Sequence, residues 1–219
     1  QMLWVGGQVD LTSSGEVRNA GDLAAQVPNA VASFGKVLEG LGASLKDLVK
    51  LLCFYVNDGS VDETEFLRMV GKALPEGASP AVTAVPVPYL AYPGMVVEIE
   101  GYAMRGEDDT PLKRTYAAPR ETAPLPEPFV HGLRCGKMIF VSGQSPTDSR
   151  GKVQKPGEII EQTKLVMGRI GEVLSAFGAG FDDAVKINRW YFGHGTLARF
   201  QPAALACAAH FEEPGPAAT

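Results

Sequence analysis

Residues 5–8 read Val-Gly-Gly-Gln, and residues 141–144 read Val-Ser-Gly-Gln. When the chain is displaced by 136 positions, the match continues without a gap and reaches Gly42-Ala43, which falls on Gly178-Ala179. A period of this length is too long for a solenoid repeat, which has roughly 20–50 residues. The chain therefore holds two copies of one domain.

Composition and comparison of the copies set the domain boundaries. We expect the first copy at residues 1–104, a linker at 105–127 and the second copy at 128–219. The linker is rich in proline, threonine and acidic residues, which is typical of connecting segments. The alignment also predicts that an N-terminal segment of the first copy and a final strand of the second are missing from this sequence.

Hydrophobic patterning predicts the secondary structure of one copy. Strands are expected at 2–9, 48–56, 81–87 and 95–104, and helices at 22–41 and 63–74. Residues 48–56 form a near-continuous apolar run, typical of a strand that is buried on both faces. The order predicts an α+β fold in which two helices cover one face of a sheet. The other face then requires cover from another copy or chain.

Composition limits the possible partners. The chain has 219 residues and a net charge of −5, which argues against broad neutralisation of nucleic-acid phosphates. No apolar run approaches the ~20 residues of a membrane span. The three cysteines (Cys53, Cys135 and Cys207) lie far apart, so no disulfide framework is expected, and a reducing, cytoplasmic location is predicted.

Several familiar catalytic motifs do not occur. The sequence has no phosphate-binding glycine loop, no Gly-x-Ser-x-Gly turn and no Cys-x-x-Cys pair. Its histidines, His131, His194 and His210, do not have metal-ligand spacing. We therefore predict neither a metal nor a cofactor.

Glu98 and Glu100 form a carboxylate pair on the last strand of the first copy. Residues two apart on a strand point to the same face, so their side chains start about 7 Å apart. If this face meets another subunit, burial and like charge would raise the pKa of one carboxyl toward that of a general base. A solvated sheet face is the other interpretation.

Gly6 and Ser142 occupy equivalent positions, each followed by Gly-Gln at the end of a strand. Backbone N–H groups at such a position could hold a carboxylate. A β-bulge or tight turn that uses glycine explains the pattern equally well.

The order of motifs resembles one known family. It runs from a strand ending in [Ser/Gly]-Gly-Gln, through a Gln-led helix ending in Gly-Ala, to Asp-x-Val-Lys, Pro-Ala-x-Thr and Val97-Glu98-Ile99-Glu100. This resembles the reactive intermediate deaminase family (RidA or YjgF, also called L-PSP endoribonuclease-like), twice over nearly the whole chain. The resemblance implies a chorismate-mutase-like α+β domain in each copy. It also implies trimers with ligand clefts between neighbours, and cofactor-independent hydrolysis of enamines or imines that releases ammonia.

The resemblance assigns roles to individual residues. Glu98 matches the glutamate that positions the attacking water and is the predicted catalytic residue. The arginine that grips the substrate carboxylate is replaced by Val82 in the first copy and Ala218 in the second. A charged hydrogen bond of that kind contributes roughly 1.5–3 kcal/mol, so we expect a less acidic substrate. The predicted substrate-binding residues are Ser142, Gly143, Phe129, Gly6, Gly7, Val82 and Ala84.

Two functions follow as hypotheses. The first is a divergent enamine or imine deaminase, a hydrolase that acts on a small reactive metabolite. The second is a non-catalytic module of the same fold that binds a small ligand or serves assembly. In both cases we expect a homotrimer of two-copy chains, with the ligand in clefts between domains or subunits and with no nucleic-acid or membrane partner. A ribonuclease is not expected, because the chain has no basic stripe or histidine pair.

Overall fold

The computed structural model describes residues 1–106, 108, 110–193 and 196–219, so His194 lies outside the described residues. The chain divides into two compact units. The first consists of Gln1–Tyr116 and Leu125–Gly143, and the second of Ala117–Pro124 and Gln144–Thr219. No helix among the described residues is long and apolar enough to span a membrane.

The chain contains strands and helices of very different lengths in its two units. The helices are α1 (Leu23–Gly40), α2 (Glu63–Ala73), α3 (Ile159–Ala176) and α4 (Leu197–Ala208). The strands are β1 (Met2–Gln8), β2 (Leu48–Val56), β3 (Ala81–Val87), β4 (Val97–Met104), β5 (Arg114–Ala117), β6 (Gly132–Cys135), β7 (Met138–Val141), β8 (Lys186–Ile187) and β9 (Ala217–Ala218).

A four-stranded sheet with the order β1-β4-β2-β3 forms the centre of the first unit. Strand β2 pairs in antiparallel fashion with β4 and in parallel fashion with β3. Most of its residues are buried, as the apolar run predicted. Its register places Lys50 opposite Tyr102 and Phe54 opposite Glu98.

Helices α1 and α2 cover one face of this sheet. The Asp22 carboxylate accepts the Ala25 N–H and caps the start of α1, while Gly42 follows its end with a φ of +77°. Between the helices and the sheet, the rings of Tyr55 and Phe66 stack with centroids 4.1 Å apart. Leu67 of α2 is also buried.

The hairpin β6–β7 covers part of the second sheet face. Its Leu133, Cys135 and Phe140 pack in one apolar cluster with Ala81 and Met104 of the sheet. By sequence the hairpin lies in the predicted second copy, yet it belongs to the first compact unit. Part of the apolar face that two helices left open is therefore covered from within the chain.

The second unit is built from α3, α4 and the parallel pair β8–β9. Val173 and Cys207 are fully buried or nearly so, and Cys207 Sγ lies 3.6 Å from Met167 Sδ. Strand β8 has one strand neighbour among the described residues, whereas β2 has two. Strand β8 is two residues long, and a two-stranded pair is marginal by itself. Each unit combines two helices with a sheet, and the predicted α+β class is confirmed.

Candidate functional site

The predicted site residues lie in two separate groups on the first unit. One group, here called the seam, is the line where Ser142 and Gly143 meet Val82 of β3. The other group is Glu98 with the Gly6-Gly7 segment of β1.

Ser142 connects two backbone segments through its hydroxyl. The Ser142 Oγ accepts the Val82 N–H at 2.7 Å and donates to the Val130 carbonyl at 2.5 Å. The side chain is 3% exposed. The hydroxyl thus takes the place of one backbone hydrogen bond between β3 and the second copy.

Gly143 continues the seam. Its N–H donates to the Val82 carbonyl at 2.9 Å, and the Ser142 N–H donates to the His131 carbonyl at 2.8 Å. A Cβ at Gly143 would lie 3.0 Å from the Thr83 methyl carbon, so glycine permits this close approach. Both N–H groups are bonded to carbonyl oxygens in this arrangement.

The remaining seam residues are apolar and buried. Val82 is 2% exposed and Phe129 is 6% exposed, and both belong to the core under the helices. Ala84 packs against the same core. These three side chains carry no charge that could bind a ligand carboxylate.

The Glu98 carboxylate lies over the backbone of β1. A Cβ added to Gly7 would meet Glu98 Oε1 at 1.9 Å, whereas the space around Gly6 is open to 4 Å. The register of β1 against β4 shifts between Val5 and Gln8, which is a bulge at these glycines. Glycine at position 7 is therefore required for the carboxylate to occupy this place.

Glu98 and Ser142 do not meet within the chain. Glu98 is paired with Phe54, Phe54 with Val85, and Val82 lies three residues earlier on the same strand. Two strand spacings of about 4.8 Å and three rises of about 3.3 Å place the Cα atoms of Glu98 and Val82 roughly 14 Å apart. Because β4 alternates, Glu98 and Glu100 share one face, as predicted, and both are partly exposed.

Lys50 is a residue of the seam that is not among the predicted site residues. Its Nζ donates to Thr83 Oγ1 at 2.6 Å and to the Val141 carbonyl at 2.7 Å. Burial lowers the pKa of this amine from 10.5 to about 7. It is the one charged residue in the run Leu48–Val56, and a charge inside a buried strand was the signal that could have identified it.

The part of the chain that the structure describes contains no group of three or more histidine, cysteine, aspartate or glutamate residues able to hold a metal ion.

The fold and these motifs define a class of protein. The chain matches the family described as endoribonuclease L-PSP over residues 1–105 and again over 120–219. It belongs to this family and carries the domain twice, as the internal repeat predicted.

Individual relatives are similar over shorter stretches. A RutC family protein of Pyrococcus abyssi is 42% identical over 69 residues, which is 31% of this chain and 54% of that protein. A 2-iminobutanoate/2-iminopropanoate deaminase of Mus musculus is 30% identical over 59 residues, 27% of this chain and 44% of the enzyme. The chain spans about half the length of the curated relatives it matches.

Among solved structures, a member of the conserved Rid protein family from Yersinia pestis is 30% identical. The matched region covers 47% of this chain and 77% of that protein, with a TM-score of 0.40.

Proposed function

We propose that the chain is a cofactor-independent imine or enamine deaminase that acts on a small reactive metabolite. Water adds to the C=N carbon, the C–N bond breaks, and the products are a carbonyl compound and ammonia. Family membership across both halves supports this function, as does the similarity to relatives named as imine deaminases.

The observation that carries the proposal is the place of the Glu98 carboxylate. It extends over Gly7 at a bulge, where the absence of a side chain leaves the oxygen atoms beside bare backbone. A carboxylate can orient water and take its proton as the water attacks, and general-base catalysis of this kind contributes typically 10²–10⁴-fold to the rate. Glu98 is thus the residue that activates water.

The substrate is expected to be less acidic than a 2-imino acid. Arginine holds a carboxylate with two parallel hydrogen bonds, and neither Val82 nor Ala218 can do so. Ala218 has a small apolar side chain, which favours an uncharged or apolar substituent at the position of that arginine.

A second chain completes the Glu98 site in this proposal. Gly6-Gly7 is equivalent to Ser142-Gly143, and Ala218-Thr219 is equivalent to Val82-Thr83. Inside one chain, the seam joins Ser142-Gly143 to the Val82-Thr83 segment. By the same pairing, the Gly6-Gly7 segment of one chain would join the β9 edge of another and place a ligand cleft beside Glu98. The proposed assembly is a ring of three such chains.

The test is ammonia release from a panel of enzymatically generated imines that includes both 2-imino acids and uncharged imines. We expect release above the uncatalysed rate for the uncharged members, and a loss of about 100-fold or more in Glu98→Gln. Glu39→Gln changes an exposed carboxylate of α1 and serves as the matched control. No acceleration with any imine, or equal rates in Glu98→Gln, would reject the proposal.

A non-catalytic ligand-binding or assembly module is the second candidate. It is favoured by the Ser142 hydroxyl, which is bonded to backbone groups of both segments that it touches. Saturable binding of an uncharged imine analogue without turnover would support this function over the first.

A further inference from the structure

The amine of Lys50 joins two segments that are distant in sequence. It donates to Thr83 on β3 and to the carbonyl of Val141 at the end of β7. Thr83 directly follows Val82, and Val141 directly precedes Ser142, so the amine bridges the same two segments as the Ser142 hydroxyl. Three consecutive links (the amine, the hydroxyl and the Gly143 N–H) therefore hold the hairpin on the sheet.

The surroundings of this amine disfavour its charge. Lys50 lies opposite Tyr102 on β4 and beside Ala81 on β3, next to the apolar cluster that the hairpin forms with the sheet. Burial also raises the pKa of Cys53, to about 12, and the pKa values of Tyr102 and Cys135, so these groups are neutral near pH 7. Strands β3 and β7 carry no ionisable side chain. The titratable and charged groups on the strands and the segment packed around Lys50 are Cys53, Tyr55, Glu98, Glu100, Tyr102, His131, Arg134 and Cys135.

We infer that Lys50 is a pH-sensitive positioning residue that holds hairpin β6–β7 on β3, and that its hold strengthens as the pH rises above neutral. A neutral amine still has two N–H donors, which suffice for Thr83 and Val141. A protonated amine keeps both bonds but adds a third N–H and a charge at a site where burial disfavours the charged form. The hairpin of the second copy is thereby held on the first copy most firmly when Lys50 is uncharged.

The direction of the pH effect follows from proton linkage. With the seam closed, the pKa of Lys50 is about 7, and in an open seam exposed to water it returns toward 10.5. Between these two pH values the open form binds more protons than the closed form. Raising the pH therefore increases the equilibrium ratio of closed to open seam by up to about tenfold per pH unit. Below pH 7 both forms are protonated, and the effect levels off.

Amide hydrogen exchange on the full chain tests this inference without any substrate. The reporters are the Val82 and Gly143 N–H groups, which bond across the seam. After correction for intrinsic exchange, we expect their protection to be constant from pH 6 to pH 7 and to rise by up to tenfold per unit to pH 9. The amide of Leu38 in α1 should show no such rise.

Two variants identify the responsible amine. Lys50→Met should abolish the rise at both seam amides, while Lys36→Met, which removes an exposed lysine of α1, should preserve it. An unchanged rise in Lys50→Met, or no rise in the parent, overturns the inference. Because Lys50→Met could fail to fold, the Lys50 Cε resonance of the parent is titrated by NMR as well. A midpoint near 7 supports the inference and one near 10.5 overturns it.

Discussion

At the scale of single residues, the contact between Gly7 and Glu98 makes a sharp prediction. In Gly7→Ala the new methyl group occupies the position of Glu98 Oε1, so the flexible carboxylate must swing away. The backbone of Gly7 does not have a positive φ, so alanine fits the chain itself. We expect ammonia release to fall by roughly tenfold or more, as for a displaced general base, with little change in melting temperature.

Gly6→Ala is the matched control for this prediction. The space around a Cβ at position 6 is open, so both activity and stability should stay close to those of the parent. Equal losses of ammonia release in Gly6→Ala and Gly7→Ala would mean that the rate depends on the bulge and not on the position of the Glu98 carboxylate.

Gln26 is a second residue with a measurable role. It is fully buried and its side-chain nitrogen donates to the carbonyls of Arg18, Asn19 and Gly94, while its oxygen accepts the Val96 N–H. Gln26→Ala would leave buried backbone groups unpaired and should lower the free energy of unfolding by about 2–4 kcal/mol.

Gln162 is the equivalent residue of the second copy and provides the comparison. Its nitrogen donates to Gln154, at a partly buried site, and no other bond of this side chain is described. Gln162→Ala should therefore cost well under half as much in urea unfolding. A similar cost for both variants would contradict the importance of the Gln26 bonds.

At the scale of elements, the hydrogen bond from the Val82 N–H to the Ser142 hydroxyl stabilises the docking of β6–β7 on β3. Ser142→Gly installs the residue found at the same position of the first copy and leaves the buried Val82 N–H without its acceptor. The expected loss is about 1–3 kcal/mol in the free energy of unfolding. Ser145→Gly changes a nearby exposed serine and should leave the free energy of unfolding almost unchanged. An unchanged free energy in Ser142→Gly would show that the hydroxyl bond is dispensable.

The long elements of the first copy could be predicted from the sequence. Strand Leu48–Val56 has the predicted ends, because a run of apolar residues paired on both sides is buried by its neighbours. The helix predicted at 22–41 extends over Leu23–Gly40, because Asp22 and Gly42 provide local start and stop signals. Such signals depend only on nearby residues.

The seam could not be predicted in the same way. The partners of Lys50 are 33 and 91 residues away, and no local pattern encodes them. Nor could the repeat predict that hairpin β6–β7 joins the first compact unit, because docking depends on a tertiary contact with β3. The roles predicted for Glu98 and for the seam residues in catalysis stay predictions until they are measured.

At the scale of the whole molecule, the proposed assembly predicts a particle of three 23.3 kDa chains. It also predicts that sites are shared between chains. Glu98→Gln removes the carboxylate, and Ala218→Trp blocks the β9 edge that would receive Gly6-Gly7 of a neighbour. Each variant alone should be inactive.

Mixing the two variants after dissociation provides the measurement. A site formed by the intact Glu98 of one chain and the intact β9 edge of the other should restore up to about a quarter of parental activity, since random pairing of two chain types gives that fraction. No restoration, or a monomer by light scattering, would contradict shared sites.

The boundary between the compact units after Gly143 has a practical consequence for anyone who divides this protein. Scission at the repeat junction, between residues 105 and 120, would separate β3 from the hairpin that covers it and expose a bare strand edge of the kind that drives aggregation. A stable N-terminal fragment should instead end near residue 143. The first compact unit therefore includes the opening segment of the second copy, and a cut at the repeat junction divides that unit.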